Sequence, residues 1–370
     1  MGWDGYMQIV LGHMSNKSHL CSILLLLIFI SGCGEKKVHS GKTLLLDETE
    51  FVTDFPNKLA PAPSFESKFD MTGALDLLVT DSCLYVSGQY PNGYIRALDK
   101  KNGSERARFL MKGNAPNEVH DIVYFSTSTI VRDKGGVSMW INDEMGHLKK
   151  IDLTRSTQEQ RTIVSDTVSI PAMAMATAKV GEKGVFYTTI NANRTSLERH
   201  ILDGQVELDI PALRKLNAGS VNTAHDGFLF NLLSTHVSYS WYAQRIIEAS
   251  VFMNTIHLYS LDGTFGKTVC LGAYPSDIEQ MEAQGVAGMA KKTFMLKSYP
   301  VFFAVLMTEN PGEEAHENMV LLIFNYDGDP LLKVALEKPA DAFDIDLETF
   351  DLYTLSWEDE RLYSYDISGD

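Results

Sequence analysis

The chain has 370 residues, 45% hydrophobic and 22% charged, with 32 basic against 48 acidic side chains and a net charge of −16. This composition is typical of a globular protein, so a disordered chain, a collagen and a small disulfide scaffold are excluded. The negative charge argues against electrostatic binding to nucleic acid or to anionic lipid headgroups. With 27 Gly, 12 Pro, 15 Tyr and 18 Phe, the chain is rich in turn formers and strand-favouring aromatics, which favours β structure.

The first element in the chain is a short apolar run, LCSILLLLIFI, over residues 20–30. As a helix it would extend about 16 Å, which is too short for a bilayer core of about 30 Å. Lys17 precedes the run and ISGC (30–33) ends it, an order typical of an export signal. ISGC also resembles the bacterial lipobox, which implies cleavage before Cys33 and attachment of lipid to its thiol. A simple secretory signal is the alternative, and a true start at Met14 would leave a compact leader.

Residues 1–33 are therefore predicted to be a lipoprotein signal peptide, and 34–42, GEKKVHSGK, a flexible tether. Such a protein is anchored to a membrane through its lipid, with no helix spanning it. In lipobox proteins an Asp after the cysteine often signals inner-membrane retention. Glycine stands there, so the resemblance implies the outer membrane, with a periplasmic or surface-facing domain.

Two cysteines, Cys83 and Cys270, lie beyond the tether in apolar strand-like runs. They could form a disulfide in an oxidising periplasm, or remain two small buried thiols.

A short segment ending in a large apolar residue and an aspartate recurs six times in the rest of the chain. The aspartates are Asp99, Asp152, Asp203, Asp262, Asp327 and Asp366, about 53 residues apart on average. Asp-Gly follows in three copies and Lys-Asn-Gly in a fourth, and such residues supply the positive φ of tight hairpins. Strand-like segments resume directly afterwards, so the sequence predicts an array of hairpins.

Four of the six units also begin with an apolar-Asp-apolar or His-Asp element. The aspartates of these elements are Asp76, Asp121, Asp226 and Asp344. Units three (about 170–176) and five (about 299–305) lack the aspartate. Units of about fifty residues with four short strands have the dimensions of β-propeller blades, whereas separate hairpins would share no core. The sequence therefore predicts an all-β fold, a six-bladed β-propeller of four-stranded antiparallel blades, over residues 43–370.

Together with the lipobox and the repeated apolar-Asp-Gly strand end, two segments resemble the TolB-like six-bladed β-propeller lipoproteins, many of unknown function. GNAPNEV (113–119) is similar to that family's Gly-Pro-Glu turn between the first and second blades, although it has Ala and Asn where glycines are usual. The resemblance implies a structural turn built on Gly113, Pro116 and Glu118, with Glu118 binding backbone amides. The closing segment 342–367 resembles the family's last blade.

The two ends of the propeller are expected to meet. The sixth repeat stops soon after its third strand, so we expect KTLLLDE (42–48) to supply the fourth strand and close the ring. The longest spacing between repeats contains 276–292, where Ser276 and Glu279 have the capping-box spacing. This segment is predicted to be a helical insertion beside the fifth blade.

The candidate ligand residues are two His-Asp pairs, His120–Asp121 and His225–Asp226. At the starts of blade strands they could converge on the central channel and bind a divalent metal or move a proton. The alternative is that each Asp caps a turn and each His is a hydrated surface residue. Five aromatic residues could stack on sugars or peptides, or pack between blades: Trp140, Tyr239, Trp241, Tyr242 and Trp357.

No P-loop, GxSxG, HExxH, CxxC or dinucleotide fingerprint occurs, so no catalytic residue and no cofactor is predicted. The leading hypothesis is an outer-membrane-anchored, non-catalytic propeller that binds an envelope protein, a peptide or a glycan, with no nucleic-acid partner. A structural subunit of an envelope complex is a related possibility. The alternative is a metal-dependent propeller hydrolase or lyase, resembling lactonase-like or NHL-type enzymes, with its site in the central channel.

Overall fold

The computed structural model describes residues 42–66, 69–171, 174–221, 232–284, 292–309 and 318–368. The predicted signal peptide, with Cys33, and the tether up to residue 41 lie outside the described residues. In chain order the strands are β1 (Glu48–Val52), β2 (Asn57–Leu59), β3 (Phe65–Glu66), β4 (Ala74–Val79), β5 (Cys83–Gly88), β6 (Ile95–Asp99), β7 (Glu105–Phe109), β8 (Thr129–Asp133), β9 (Gly136–Asn142), β10 (His147–Asp152), β11 (Val164–Ser169), β12 (Thr177–Val180), β13 (Gly184–Ile190), β14 (Leu197–Asp203), β15 (Val206–Glu207), β16 (Thr235–Ser240), β17 (Arg245–Ser250), β18 (Thr255–Ser260), β19 (Gly266–Leu271), β20 (Thr293–Ser298), β21 (Phe303–Thr308), β22 (Met319–Phe324), β23 (Pro330–Ala335), β24 (Ala342–Ile345), β25 (Asp351–Ser356) and β26 (Arg361–Asp366).

These strands form six small sheets that follow one another along the chain. Consecutive strands pair within each sheet: β4–β7, β8–β11, β12–β15, β16–β19, β20–β23 and β24–β26. The first strands lie at the centre, since β24 packs against β4, β20 against β24, and β16 against both β12 and β20. The protein is a six-bladed β-propeller, which confirms the predicted fold class.

The amino-terminal segment closes the ring, but not at the predicted residues. The fourth strand of blade six is β3, which pairs antiparallel with β26, so the prediction that residues 42–48 supply it is wrong. Before reaching β26, the segment adds β1 in parallel to β19 of blade four and β2 in parallel to β23 of blade five. We call residues 42–66 the N-terminal belt, because they run across the outer edges of three successive blades.

The six repeated aspartates lie at the end of the third strand of a blade or within three residues after it, and a paired fourth strand follows directly after four of them, which confirms those predicted hairpins. After four of them a glycine takes a positive φ: Gly103 (71°), Gly204 (63°), Gly263 (71°) and Gly328 (89°). Several of the aspartates also stabilise the turn through their side chains. For example, Asp99 Oδ1 accepts a hydrogen bond from Lys101 N at 2.9 Å. Asp152 instead caps a helix, accepting from Arg155 N at 2.8 Å. The Asp and Gly residues that recur in the sequence therefore form the turns that follow the third strands of the blades.

The predicted blade starts are only partly correct. Asp76 and Asp344 lie on the first strands β4 and β24, as predicted, and both are completely buried. Asp121 precedes β8 by eight residues and lies in the connection from blade one. Asp226 lies outside the described residues. In units three and five the first strands are β12 and β20, which begin after 170–176 and before 299–305, so those two placements are wrong.

The apolar core lies between neighbouring blades. Separate clusters of buried side chains fill the contacts between blades one and two, two and three, three and four, and four and five, and a larger cluster joins blades five, six and one. Leu44 and Leu46 of the N-terminal belt pack into the cluster of blades three and four, while Val52 and Phe55 pack into that of blades four and five. Burial of these side chains ties the belt to the ring.

An ion pair is buried between blades three and four. Arg199 Nε on β14 lies 2.7 Å and 3.0 Å from the two carboxylate oxygens of Glu248 on β17, and both side chains are fully buried. Tyr259 and Thr235 also donate to this carboxylate. Burial raises the pKa of Glu248, but the charge of Arg199 and these hydrogen bonds outweigh it and hold the pKa below its ordinary value.

Beside this pair, His257 on β18 is buried completely, and burial lowers the pKa of its imidazole to about 4. Its Nδ1 lies 3.1 Å from Thr268 Oγ1. The histidine is therefore neutral at pH 7.

In the described ranges three short helices connect the strands: α1 (Leu153–Glu159), α2 (Pro211–Asn217) and α3 (Ile278–Gln284). Helix α3 lies within the predicted insertion, of which 285–291 are outside the described residues. Its first turn is capped by Asp277, whose carboxylate accepts from Glu279 N at 3.0 Å. The predicted cap, Ser276, instead bonds to Asn254. Each of these helices has seven residues, and none in the described part of the chain has the length and hydropathy needed to cross a membrane.

Cys83 and Cys270 are free and buried. They lie in different blades, on β5 and β19. Of the two alternatives left open by the sequence, the structure has two buried thiols.

Candidate functional site

A small pocket lies at the centre of the ring, where five of the first strands end. Its lining includes Leu78 on β4, Arg132 on β8, Ser240 on β16, Lys297 on β20 and Asp344 on β24. The loops that leave two of these strands complete it with Trp241, Tyr242, Tyr299 and Pro300. The cavity has a volume of about 40 Å³. This channel pocket brings charged and aromatic side chains from most of the blades to one place.

A buried ionic cluster adjoins the channel pocket, which two of its members, Lys297 and Asp344, line. Lys297 Nζ lies 3.3 Å from Asp76 Oδ1 and 3.9 Å from Asp344 Oδ1, and it donates a hydrogen bond to Leu77 O at 2.5 Å. Both carboxylates are completely buried. The ammonium of Lys297 is thus committed to partners from blades one and six.

The two carboxylates have little capacity left for a ligand. Asp344 Oδ2 accepts from Val79 N at 2.6 Å and its Oδ1 accepts from the Tyr299 hydroxyl at 2.7 Å. Asp76 accepts from Leu77 N at 2.7 Å and from Ser126 N at 2.8 Å. Burial and the neighbouring Asp344 charge raise the pKa of Tyr299 well above its ordinary value, so this hydroxyl remains a donor. Both carboxylates therefore already accept hydrogen bonds from protein donors, whereas Ser298 Oγ in the pocket lining is buried and has no hydrogen-bond partner among the described residues.

Arg132 is the less fully paired of the two cations that line the pocket. Arg132 Nη1 donates to Val79 O at 3.1 Å, while Nη2 is 3.7 Å from Asp344 Oδ2, beyond hydrogen-bonding distance. The Arg132 side chain is 23% exposed, so part of its guanidinium faces the pocket. Trp241 Nε1 is buried and has no hydrogen-bond partner among the residues that the structure describes. Because this nitrogen has almost no accessible surface, a molecule in the pocket does not reach it.

Aromatic rings surround the opening of the channel pocket. Tyr239 and Trp241 pack edge to face with ring centroids 5.5 Å apart. Tyr242 is 49% exposed, and its hydroxyl donates to Arg132 O at 3.0 Å. Three of the five aromatic residues proposed as a stacking surface therefore line this pocket.

The other two aromatic residues lie elsewhere. Trp140 is buried, with Lys179 Nζ 5.5 Å from its ring centroid. Trp357 lies between β25 and β26, and its Nε1 donates to Leu75 O at 3.0 Å. Trp140 has the packing role that the sequence left as the alternative.

The first predicted His-Asp pair lies in the connection between β7 and β8. His120 and Asp121 are both exposed, and Asp121 Oδ1 accepts from Ile122 N at 2.7 Å. Asp121 contributes to an open surface groove of about 360 Å³ with Tyr90 and Lys112. The described lining of the channel pocket includes neither member of the pair. The second pair, His225–Asp226, lies outside the described residues.

The predicted structural turn occupies the same connection. Glu118 Oε2 accepts a hydrogen bond from Ala115 N at 2.9 Å, and Glu118 O accepts one from Lys149 Nζ at 2.7 Å. A Cβ on Gly113 would lie 1.9 Å from Glu118 Oε2, so a larger residue there would displace this carboxylate from its place in the turn. Pro116 lies between these residues, within the turn that links blade one to blade two.

Metal binding was one of the sequence-based possibilities for the channel. Within the described ranges, no three His, Cys, Asp or Glu side chains are grouped so that they could hold a metal ion. The role of His225 and Asp226 in such a site stays a prediction.

Arg132 and Lys297 were missed by the sequence reasoning. Each is a basic residue near the end of an otherwise apolar first strand, in TIVRD and TFMLKS. Lys297 is buried, and a buried charge needs a partner. That signal could have identified Lys297 once the first strands were correctly placed, whereas β8 around Arg132 is only half-buried.

Comparison with known proteins adds little beyond the fold. No family model matches the sequence, and no curated protein matches it. The chain is similar to the crystal structure of a member of the DUF4221 family from Bacteroides vulgatus, at 10% identity and a TM-score of 0.48, over 83% of this chain and 94% of that one. It is also similar to a chain in the crystal structure of the Mitotic Checkpoint Complex, at 10% identity and a TM-score of 0.39, over 87% of this chain and 97% of that one. Likenesses this distant indicate nothing about function.

Proposed function

We propose that this protein is an outer-membrane lipoprotein, anchored through lipid on Cys33, whose propeller binds a protein, peptide or glycan without catalysing a reaction. The anchor is supported by the ISGC tetrad after a short apolar run. From the sequence resemblance described above, we also propose that the protein is related to the TolB-like lipoproteins. A propeller fold by itself specifies no activity. The binding role is therefore argued from the residues of the channel pocket.

The observation that carries the binding role is the composition of the channel pocket. Its Asp344 carboxylate accepts hydrogen bonds from protein donors, while the Arg132 side chain is 23% exposed and Tyr242 is 49% exposed. Ligand sites typically combine apolar and aromatic walls with a few polar groups that fix orientation. With a volume of about 40 Å³, the pocket fits one functional group of a larger partner, whose remainder would contact the aromatic rim.

The test is binding of the purified full chain in detergent to arrayed peptides and glycans. Replacing Tyr242 by alanine should weaken binding of whichever array members are captured by about fivefold, since one exposed aromatic contact contributes roughly 1 kcal/mol. Trp357→Ala is the matched control, because Trp357 is equally exposed (46%) but lies outside the channel pocket. Binding that Tyr242→Ala leaves unchanged, or no binding at all, would reject the channel pocket as the binding site.

A further inference from the structure

We propose that the propeller lies against the membrane surface with one of its two faces, here called the entry face. The entry face carries the connections from the second to the third strand of a blade and from the fourth strand to the next blade. Its described residues are 89–94, 110–128, 143–146, 174–176, 191–196, 219–221, 251–254, 272–284, 336–341 and 357–360. The partner is a layer of zwitterionic lipid headgroups, and the inference rests on the proposed lipid anchor.

The direction of the strands places these connections on one side of the ring. Neighbouring strands within a blade are antiparallel, as are β4 to β7 in blade one. Connections from the first to the second strand and from the third to the fourth therefore lie on the opposite face. That face holds Tyr242 and Pro300, which line the channel pocket after β16 and β20. A partner that reaches the pocket past Tyr242 approaches from the side away from the entry face.

The first described residue, Lys42, lies at the entry face. Its carbonyl oxygen accepts a hydrogen bond from Ile278 N at 2.9 Å, and its Nζ donates to Ser220 Oγ at 3.3 Å. Both partners belong to connections that lead from one blade to the next. Fully extended, the chain from Cys33 to Lys42 reaches at most about 30 Å. A lipid on Cys33 would therefore keep this part of the entry face within that distance of the bilayer.

Exposed apolar side chains are concentrated on the same face. Nine large apolar side chains are exposed in the described ranges, and two of them lie on the opposite face and two at the outer edges of the blades. The other five lie on the entry face: Met111, Met145, Met175, Tyr274 and Trp357. Tyrosine and tryptophan favour the interface between membrane and water, and the flexible side chain of methionine adapts to irregular apolar surroundings.

Charge determines which lipid surface this face can contact. A net charge of −16 gives no attraction to anionic headgroups. The five exposed side chains are uncharged, so contact with a zwitterionic layer would depend on burial of apolar surface. The tether would make weak contacts of this kind sufficient, because it keeps the face at a high effective concentration near the membrane.

The experiment compares fluorescent labels on the two faces of the full lipidated chain, in phosphatidylcholine vesicles that contain a lipid with a nitroxide on its headgroup. The label is attached to Met175→Cys on the entry face or to Val301→Cys on the opposite face, since these residues are similarly exposed (46% and 49%). Cys83 and Cys270 are buried and should remain unlabelled. Quenching at residue 175 should be at least about twofold stronger, because apolar side chains of a surface-bound protein enter the headgroup region by about 5–10 Å. Equal quenching, or stronger quenching at residue 301, overturns the proposal.

A second pair of substitutions tests whether the apolar side chains make the contact. Tyr274→Ser should lower the quenching at residue 175, because it removes an aromatic ring from the interface. Phe51→Ser is the control, since Phe51 is 47% exposed but lies at the outer edge of blade four. Melting curves show whether both variants are folded. Equal quenching in the two variants would contradict a contact made by the entry face.

Flotation of the vesicles distinguishes failure of this inference from failure of the anchor. If the chain floats with the vesicles but neither label is quenched, the anchor stands and the proposed orientation is wrong. If the chain does not float, both are wrong. Disulfide-linked dimers of Met175→Cys would instead assign the entry face to a second copy of the chain.

Discussion

At the scale of single residues, His257 makes the stability of the protein depend on pH. Its pKa is about 4 in the folded protein, against an ordinary value of about 6.5. The unfolded chain therefore binds a proton at this residue below about pH 6.5, while the folded chain does so only near pH 4. The contribution is fully present above pH 6.5 and is lost as pH falls towards 4, by about 3 kcal/mol in total.

Urea unfolding of the wild type and of His257→Gln at several pH values between 7 and 4 measures this effect. The free energy of unfolding of the variant should fall less steeply over that interval than that of the wild type. His120→Gln, at an exposed histidine, is expected to follow the wild-type profile. Parallel profiles for wild type and His257→Gln would mean that His257 is not held neutral by burial.

Residue chemistry was predictable where it acts locally. Asp99 and Gly103 form a turn through hydrogen bonds that join residues no more than four apart. The sequence pattern alone therefore predicted this turn. The channel pocket joins residues that are far apart in the chain, such as Asp76 and Lys297. The sequence around one of these residues does not indicate the other. Their pairing could be predicted only from the arrangement of the blades, which brings the first strands together.

At the scale of elements, the N-terminal belt is the least predictable part of the fold. Strands β1 and β2 pair in parallel with the outer strands of blades four and five, and β3 has only two residues. The sequence indicated that the amino end closes the ring, because the sixth repeat lacks a strand. It did not indicate the register, since an added edge strand needs few specific side chains.

The belt should contribute strongly to stability through Phe55. This side chain is buried and packs edge to face on Phe324, with ring centroids 5.3 Å apart. Phe55→Ala should lower the free energy of unfolding by about 3 kcal/mol, because it leaves a cavity between blades four and five. Phe51, in the same belt, is 47% exposed, so Phe51→Ala should change it by about 0.5 kcal/mol or less. Similar urea midpoints for both variants would contradict the role of the belt.

At the scale of the whole molecule, a net charge of −16 and the proposed lipid anchor would have different consequences for membrane attachment. An acidic domain gains nothing from anionic headgroups, so attachment would depend on the lipid rather than on charge. High salt should then fail to release the protein from membranes, because salt weakens only the electrostatic part of such contacts.

Expression in a Gram-negative host supplied with labelled palmitate tests the anchor. We expect label on the wild-type chain, and a Cys33→Ala variant that carries none. Cys21→Ala should remain labelled, because that cysteine lies inside the apolar run. An unlabelled wild type, or equal loss of label in both variants, would show that Cys33 is not a lipidation site.

Closure of the ring by the N-terminal belt also dictates an order of folding. Ser64 donates to Ser364 O across 300 residues of sequence, so blade six cannot be completed until the end of the chain has been made. Contacts so distant in sequence carry a large loop-closure entropy and form late and slowly. Until then the outer strands β19, β23 and β26 present unpaired edges, which are templates for association with other chains. During biogenesis the belt is therefore the segment whose delayed docking leaves the molecule open to aggregation.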